Sequence, residues 1–313
     1  MPKLFFQWFK KFFPPLLGLL LIYYSYANTT SLERIEIYSS MKSADFKFVF
    51  LSIFLGVLSH LIRSLRWQSM LKPLGYKISL LNSIMSVLIA FLSNLGIPRS
   101  GEFLRASSIS YYEKIPFEKS FGTIVTERII DVIILVALIL YGVSIFSKIE
   151  IPEFSINKKL IFGFFYILFF GLIIYYFISK SKYKNRIKNL FMGLKKGVLS
   201  IIKIENKSIF IFHSLFIWLC YFLMFYVVKF SIPETYNLEF EPIFLAFLAG
   251  AMAMALTNGG IGAYPLAIAA VISQYDVPYE SALALGWIVW TSQTLMIITF
   301  GSLSFVFLPI LNK

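Results

Sequence analysis

Apolar residues run along this chain in blocks that are too long for a soluble core. Six blocks, Phe12–Ala27, Phe46–Ile62, Phe121–Phe146, Leu160–Ile178, Ile209–Phe230 and Ala282–Leu308, have the length of membrane-crossing helices once flanking residues are included. A crossing needs about 20 apolar residues for a ~30 Å hydrocarbon layer. Two further blocks, Leu80–Ser93 and Ile243–Leu256, have 14 residues each, or ~21 Å of helix. Each ends at an Asn/Gly-containing break and is followed by a second short segment, Glu102–Tyr112 or Tyr264–Tyr275. The pattern predicts an all-α polytopic membrane protein with about six full spans and two broken re-entrant helix pairs. Lys3, Lys10 and Lys11 before an apolar stretch ending Ser25-Tyr26-Ala27 would also suit a cleaved leader. A retained first span fits better, because the rest of the chain is also membrane-embedded.

Composition agrees: 58% of the 313 residues are hydrophobic, 14% are charged, and mean hydropathy is +0.77. The net charge of +13 would elsewhere suggest nucleic acid; here it reports orientation, and no nucleic-acid partner is expected. The segment 180–207 carries nine basic residues against Glu205 alone, so it reads as a cytoplasmic loop. Residues 63–79, with Arg63, Arg66, Lys72 and Lys77, read as cytoplasmic too. The mixed loop after the first span, with Glu33, Arg34, Glu36, Lys42 and Asp45, fits the outside. Both termini are then cytoplasmic. One cysteine, Cys220, and two histidines, His60 and His213, leave no internal disulfide and no metal site to expect, and no cofactor is implied.

Between the two cytoplasmic segments, two full spans already go out and back. Leu80–Ser93 therefore pairs with Glu102–Tyr112, either as a hairpin entering from the cytoplasm or in the interface. A repeat follows. Span, broken pair and span begin near residues 46, 80 and 121, and again near 209, 243 and 282. Asn94-Leu95-Gly96-Ile97 aligns with Asn258-Gly259-Gly260-Ile261, and Pro116-Phe117-Glu118 with Pro278-Tyr279-Glu280. The copies start on opposite sides, so the single transmembrane domain 1–313 contains inverted repeats, about 46–146 and 209–308. Secondary transporters are often built this way, with broken helices near the midplane.

The candidate chemistry lies at the breaks. Near Asn94, Gly96 and Pro98 interrupt the helix, and a new helix starts near Ser100 with N–H groups suited to an anion. Arg99 and Arg105 add fork-shaped donors matched to phosphate. Asn94 and Gly101 complete the expected substrate-binding set there, while Glu102 balances an arginine or carries a proton. The second break supplies Asn258, Gly259, Gly260 and Gly262, whose backbone permits close approach by a headgroup or tight helix packing. In the following span of the first repeat, Glu127 and Asp131 are four apart and share a helix face, and Arg128 can pair with Asp131. These are charge-coupling candidates, unless they snorkel to the headgroups from the helix end. Arg63, Arg66 and Trp67 are expected to anchor their span at the cytoplasmic interface. His60, one turn deeper, is expected to pack.

Arg63-x-x-Arg66-Trp67, Asn94-x-x-x-Pro98-Arg99-x-Gly101-Glu102-x-x-Arg105, Glu127-Arg128-x-x-Asp131 and Gly259-Gly260-Ile261-Gly262 occur in this order. The set, over roughly residues 12–308, resembles the flippase-like family named after the transmembrane region of lysylphosphatidylglycerol synthase. The resemblance implies a multi-pass protein of the bacterial inner (plasma) membrane that moves a phospholipid or isoprenoid-linked lipid between leaflets. On it, Arg99, Glu102, Arg105, Glu127, Arg128 and Asp131 are the family-pattern polar residues. The chain ends at Lys313, so the synthase's aminoacyl-transferase domain and enzyme activity are not expected. Tyr264 and Pro265 stand where the family often has Glu, which removes a second-half acidic site from the expectation. The alternatives are a membrane-embedded lipid-phosphate transferase and a non-transporting partner subunit docking through 180–207.

Overall fold

The computed structural model describes residues 30–146, 184–257 and 259–312, together with Tyr23 and Ala27. Among them all regular structure is helical: α1 Ser31–Lys42, α2 Phe46–Leu71, α3 Leu80–Gly96, α4 Ser100–Tyr112, α5 Phe117–Ile145, α6 Lys184–Val198, α7 Lys207–Val228, α8 Phe240–Leu256, α9 Ala263–Ile272 and α10 Tyr279–Leu311. Four apolar helices, Phe46–Leu74, Phe117–Ile145, Lys207–Ser231 and Tyr279–Leu311, are long enough to cross a bilayer. The spans expected at Phe12–Ala27 and Leu160–Ile178 lie outside the described residues. The first short helix of each broken pair is longer than its apolar block: α3 and α8 both reach 17 residues, ~26 Å, with residues 94–96 added at the end of α3 and residues 240–242 at the start of α8.

Two segments read from sequence as loops are helices. Residues 31–42 form α1, which packs along α10 and lays Ile37 and Met41 on the larger hydrophobic core. Much of the basic segment 180–207 forms α6, which packs along α5. Hydropathy alone misses both, since a helix that buries only one narrow face needs no long apolar run. The contact of α6 with α5 depends on glycines: a Cβ on Gly122 would lie 2.9 Å from Gly197 Cα and 2.5 Å from the Leu194 carbonyl oxygen. Gly122→Val should therefore lower stability by about 1–3 kcal/mol. It should also release α6, which thermal unfolding in detergent and protease cleavage at Lys195 and Lys196 would detect.

The succession long, short, short, long occurs twice, as α2–α5 and α7–α10. In each copy the short helices fold back on each other at a small residue. Gly101 at the start of α4 crosses the Ala90 carbonyl of α3, and the Tyr264 ring of α9 crosses Gly250 of α8. The breaks share local chemistry. Pro116 and Pro278 stand immediately before α5 and α10, where a fixed φ suits a helix start. Two residues earlier, Lys114 (φ 56°) and Asp276 (φ 58°) both adopt the left-handed conformation.

Contacts between the copies are reciprocal. The first helices, α2 and α7, pack on each other; α3 packs on α10, and α8 on α5. Exchanging the copies maps the α2–α7 contact onto itself and the other two onto each other, as a pseudo-two-fold arrangement requires. The breaks themselves touch: a Cβ on Gly259 would lie 3.6 Å from Leu95 Cδ2.

Candidate functional site

The site grows from the faces that α2 and α5 turn toward each other. On α2, Arg63, Arg66 and Trp67 are spaced three and four apart, hence on one face. On α5, Thr123, Glu127 and Asp131 are each four apart and form the facing stripe. Arg66 donates from Nε and Nη2 to Glu127 Oε1, both at 3.3 Å, and from Nη1 to Asp131 Oδ1 at 3.0 Å. Arg63 Nη1 donates to Asp131 Oδ2 at 3.1 Å. The Trp67 indole N–H donates to Thr123 Oγ1 at 2.8 Å.

Two more helices close the cluster. From α4, Arg105 Nη1 donates to Glu127 Oε2 at 2.5 Å, and its guanidinium lies 3.8 Å from the centroid of the Trp67 ring. From α7, the Tyr221 hydroxyl accepts from Arg63 Nη2 at 2.6 Å, and Ser214 Oγ accepts from Arg66 Nη1 at 3.3 Å. On α5 itself, Arg128 pairs with Asp131 at 3.3 Å and remains half-exposed. His60 packs its ring on Phe91, 4.5 Å between centroids.

Charge and donor counts both leave a surplus. Arg63, Arg66, Arg105 and Arg128 face Glu127 and Asp131, an excess of two positive charges. Arg66, Trp67 and Glu127 are wholly out of solvent, and Arg63 and Arg105 nearly so. Charges are expensive in such a place unless compensated. Several buried donors also have no acceptor: Arg63 Nε, Arg105 Nε and Nη2, and Arg128 Nε. The arrangement is thus suited to receive an anion with several acceptor oxygens.

Four of the expected polar residues, Arg105, Glu127, Arg128 and Asp131, come together here. Arg63, Arg66 and Trp67 correct the sequence reading: they are interior side chains bound to α5 rather than anchors at the headgroup surface. Glu127 and Asp131 supply inside the protein the compensation that snorkelling would otherwise seek in water. Asn94 and Gly101 were expected to bind substrate, yet they satisfy each other, Gly101 N–H to Asn94 Oδ1 at 2.7 Å. The asparagine caps the new helix from the end of the old one. Arg99 sits exposed at the break with φ 58° and joins no ion pair among the described residues. Glu102 lies one turn before Arg105 with its Oε2 buried and unpartnered.

At the second break, Gly259, Gly260 and Gly262 take φ of 64°, 71° and 69°, a run of left-handed backbone open to glycine at little cost. The Gly259 carbonyl accepts from the Trp290 indole at 2.8 Å, and a Cβ on Gly260 would meet Met254 Sδ at 2.5 Å. Tight packing thus already uses part of this motif; Asn258 lies outside the described residues. Sequence reasoning missed Thr123, Ser214 and Tyr221. The signal for the last two was available, since polar residues seven apart on an apolar helix share a face.

One of the comparisons, with a family model, extends over nearly the whole chain. A family model described as the lysylphosphatidylglycerol synthase TM region matches residues 13–301. The UPF0104 membrane protein MJ1078 of Methanocaldococcus jannaschii is 25% identical over 223 residues, which are 69% of this chain and 93% of that protein. The UPF0104 membrane protein MJ1595 of the same organism is 30% identical over 138 residues, 43% of this chain and 40% of that one. The UPF0104 membrane protein PH1989 of Pyrococcus horikoshii is 33% identical over 122 residues, 35% of each. The alignments thus span less than half the length of MJ1595 and PH1989. No solved structure matches this chain. With a matching model over residues 13–301, the chain belongs to the family of the lysylphosphatidylglycerol synthase transmembrane region.

Proposed function

We propose that the protein moves a lipid with an anionic headgroup between the leaflets of the plasma membrane. The observation that carries this reading is the buried surplus of arginine over acid among α2, α4 and α5. α2 and α5 belong to helices long and apolar enough to cross a bilayer. A fixed positive site at membrane depth lowers the cost of carrying a negative headgroup through hydrocarbon. Arg105, Arg63 and Arg128 are the headgroup-binding side chains, with Glu127 and Asp131 holding their orientation and Glu102 available as a proton acceptor. The two helical units, rocking about the α2–α7 contact, would open the site to one leaflet and then the other. The basic segment 180–207, on the cytoplasmic side, sets this orientation with both termini inside.

Proteoliposomes with fluorescent phosphatidylglycerol and an impermeant quencher test the proposal. The protein should accelerate exchange over protein-free vesicles. Arg128→Gln, at a half-exposed position, should slow exchange about tenfold, as expected for loss of about 1.4 kcal/mol of headgroup interaction. Arg99→Ala should change it little, since an exposed, unpaired charge contributes weakly. Exchange no faster than in empty vesicles would overturn the reading.

A further inference from the structure

We propose that the headgroup recognised by this cluster is a terminal phosphate, a phosphomonoester, gripped by the free side edge of Arg105. This rests on the lipid-transfer reading above and narrows it to a substrate class. Arg105 uses only Nη1, on Glu127, while Nε and Nη2 are buried without partners. Those two nitrogens form the side edge of the guanidinium, whose parallel N–H groups match two oxygens of one oxyanion. The Trp67 ring on its face and Glu127 at its tip hold the edge in one orientation.

Three features favour a terminal phosphate over a phosphodiester. A diester has two non-bridging oxygens, which the Arg105 edge alone would occupy; a monoester has a third, left for the unpartnered Nε of Arg63 or Arg128. A diester carries one negative charge, whereas a phosphomonoester carries about −1.5 to −2 at pH 7, close to the cluster's excess of two. Third, the singly protonated form of the monoester, with one negative charge, has a hydroxyl to donate, and with the Glu102 carboxylate it again presents two negative charges to the cluster. Glu102 lies three residues before Arg105 on the same face of α4 and has a buried oxygen in need of a donor.

The test uses the full-length protein in detergent, with binding followed by thermal shift and native mass spectrometry. The probes are phosphatidate, phosphatidylglycerol and sodium phosphate. Phosphatidate should bind about tenfold more tightly than phosphatidylglycerol. Arg105→Lys keeps the charge but has no two-nitrogen edge, and should weaken binding of both lipids and erase that preference. If Arg105→Lys does not fold, Arg128→Gln is the second variant, and it should weaken phosphatidate binding more than phosphatidylglycerol binding. Equal binding of the two lipids, or an unchanged preference in the variant that folds, would overturn the inference. It would leave lipid transfer standing, which fails only if vesicle exchange is absent. Saturation by sodium phosphate without a response to phosphatidate would overturn the assignment to a lipid headgroup.

Discussion

Glu127→Gln is expected to destabilise the protein by about 3–5 kcal/mol, the range for removing one partner of a buried ion pair. Glu127 is fully buried and takes three hydrogen bonds from Arg66 and Arg105. Glutamine has nearly the same shape, so the loss is electrostatic rather than a cavity. Its amide would aim N–H groups at one guanidinium, and the excess of arginine over acid would grow from two to three. The loss is a large share of a typical folding stability. Thermal unfolding in detergent should show it. Adding Arg105→Gln in the same chain should recover part of it, because the second change removes an uncompensated charge. A melting temperature equal to that of the native protein would show that the cluster is hydrated and not a buried ionic core.

Trp67→Ala is expected to cost about 3–5 kcal/mol, as for other buried large-to-small changes. The ring is fully buried in the cluster with Leu71, Ile109 and Ile124, donates to Thr123 and carries Arg105 on its face. Trp67→Phe separates the contributions. It keeps most of the apolar contact and an aromatic face, but loses the N–H bond, so its cost should be about 1 kcal/mol. The difference between the variants then measures the volume and the platform under Arg105. If the two melt alike, packing around the ring contributes little and the site is looser than its burial implies.

The breaks were legible in the sequence because they are local. Gly and Pro limit backbone choices within a few residues, so Pro116 and Pro278 mark the starts of α5 and α10, and the glycines at 259–262 mark a left-handed turn. α1 and α6 were not legible, because their polar faces hide helices that only packing on α10 and α5 sustains. The capping role of Asn94 toward Gly101 was not legible for a related reason. An asparagine before a glycine-rich break reads alike whether it meets a ligand or caps the next helix, and only the fold of α4 onto α3 separates the two.

By itself the sequence determined that this is a multi-pass helical membrane protein, where its helices break, and that the pattern occurs twice. These follow from helix length, hydropathy and backbone sterics, each of which acts over a few residues to one helix. It also named the charged residues of the buried cluster. Which of them meet was decided by tertiary structure alone. Arg66 and Glu127 are 61 residues apart, and Arg63 and Asp131 are 68 apart. An arginine near a helix end has the same local sequence whether it reaches for headgroups or for a carboxylate. Packing of α2 on α5, with α4 and α7 closing the sides, turned three expected surface anchors into the buried core of an ion-paired cluster.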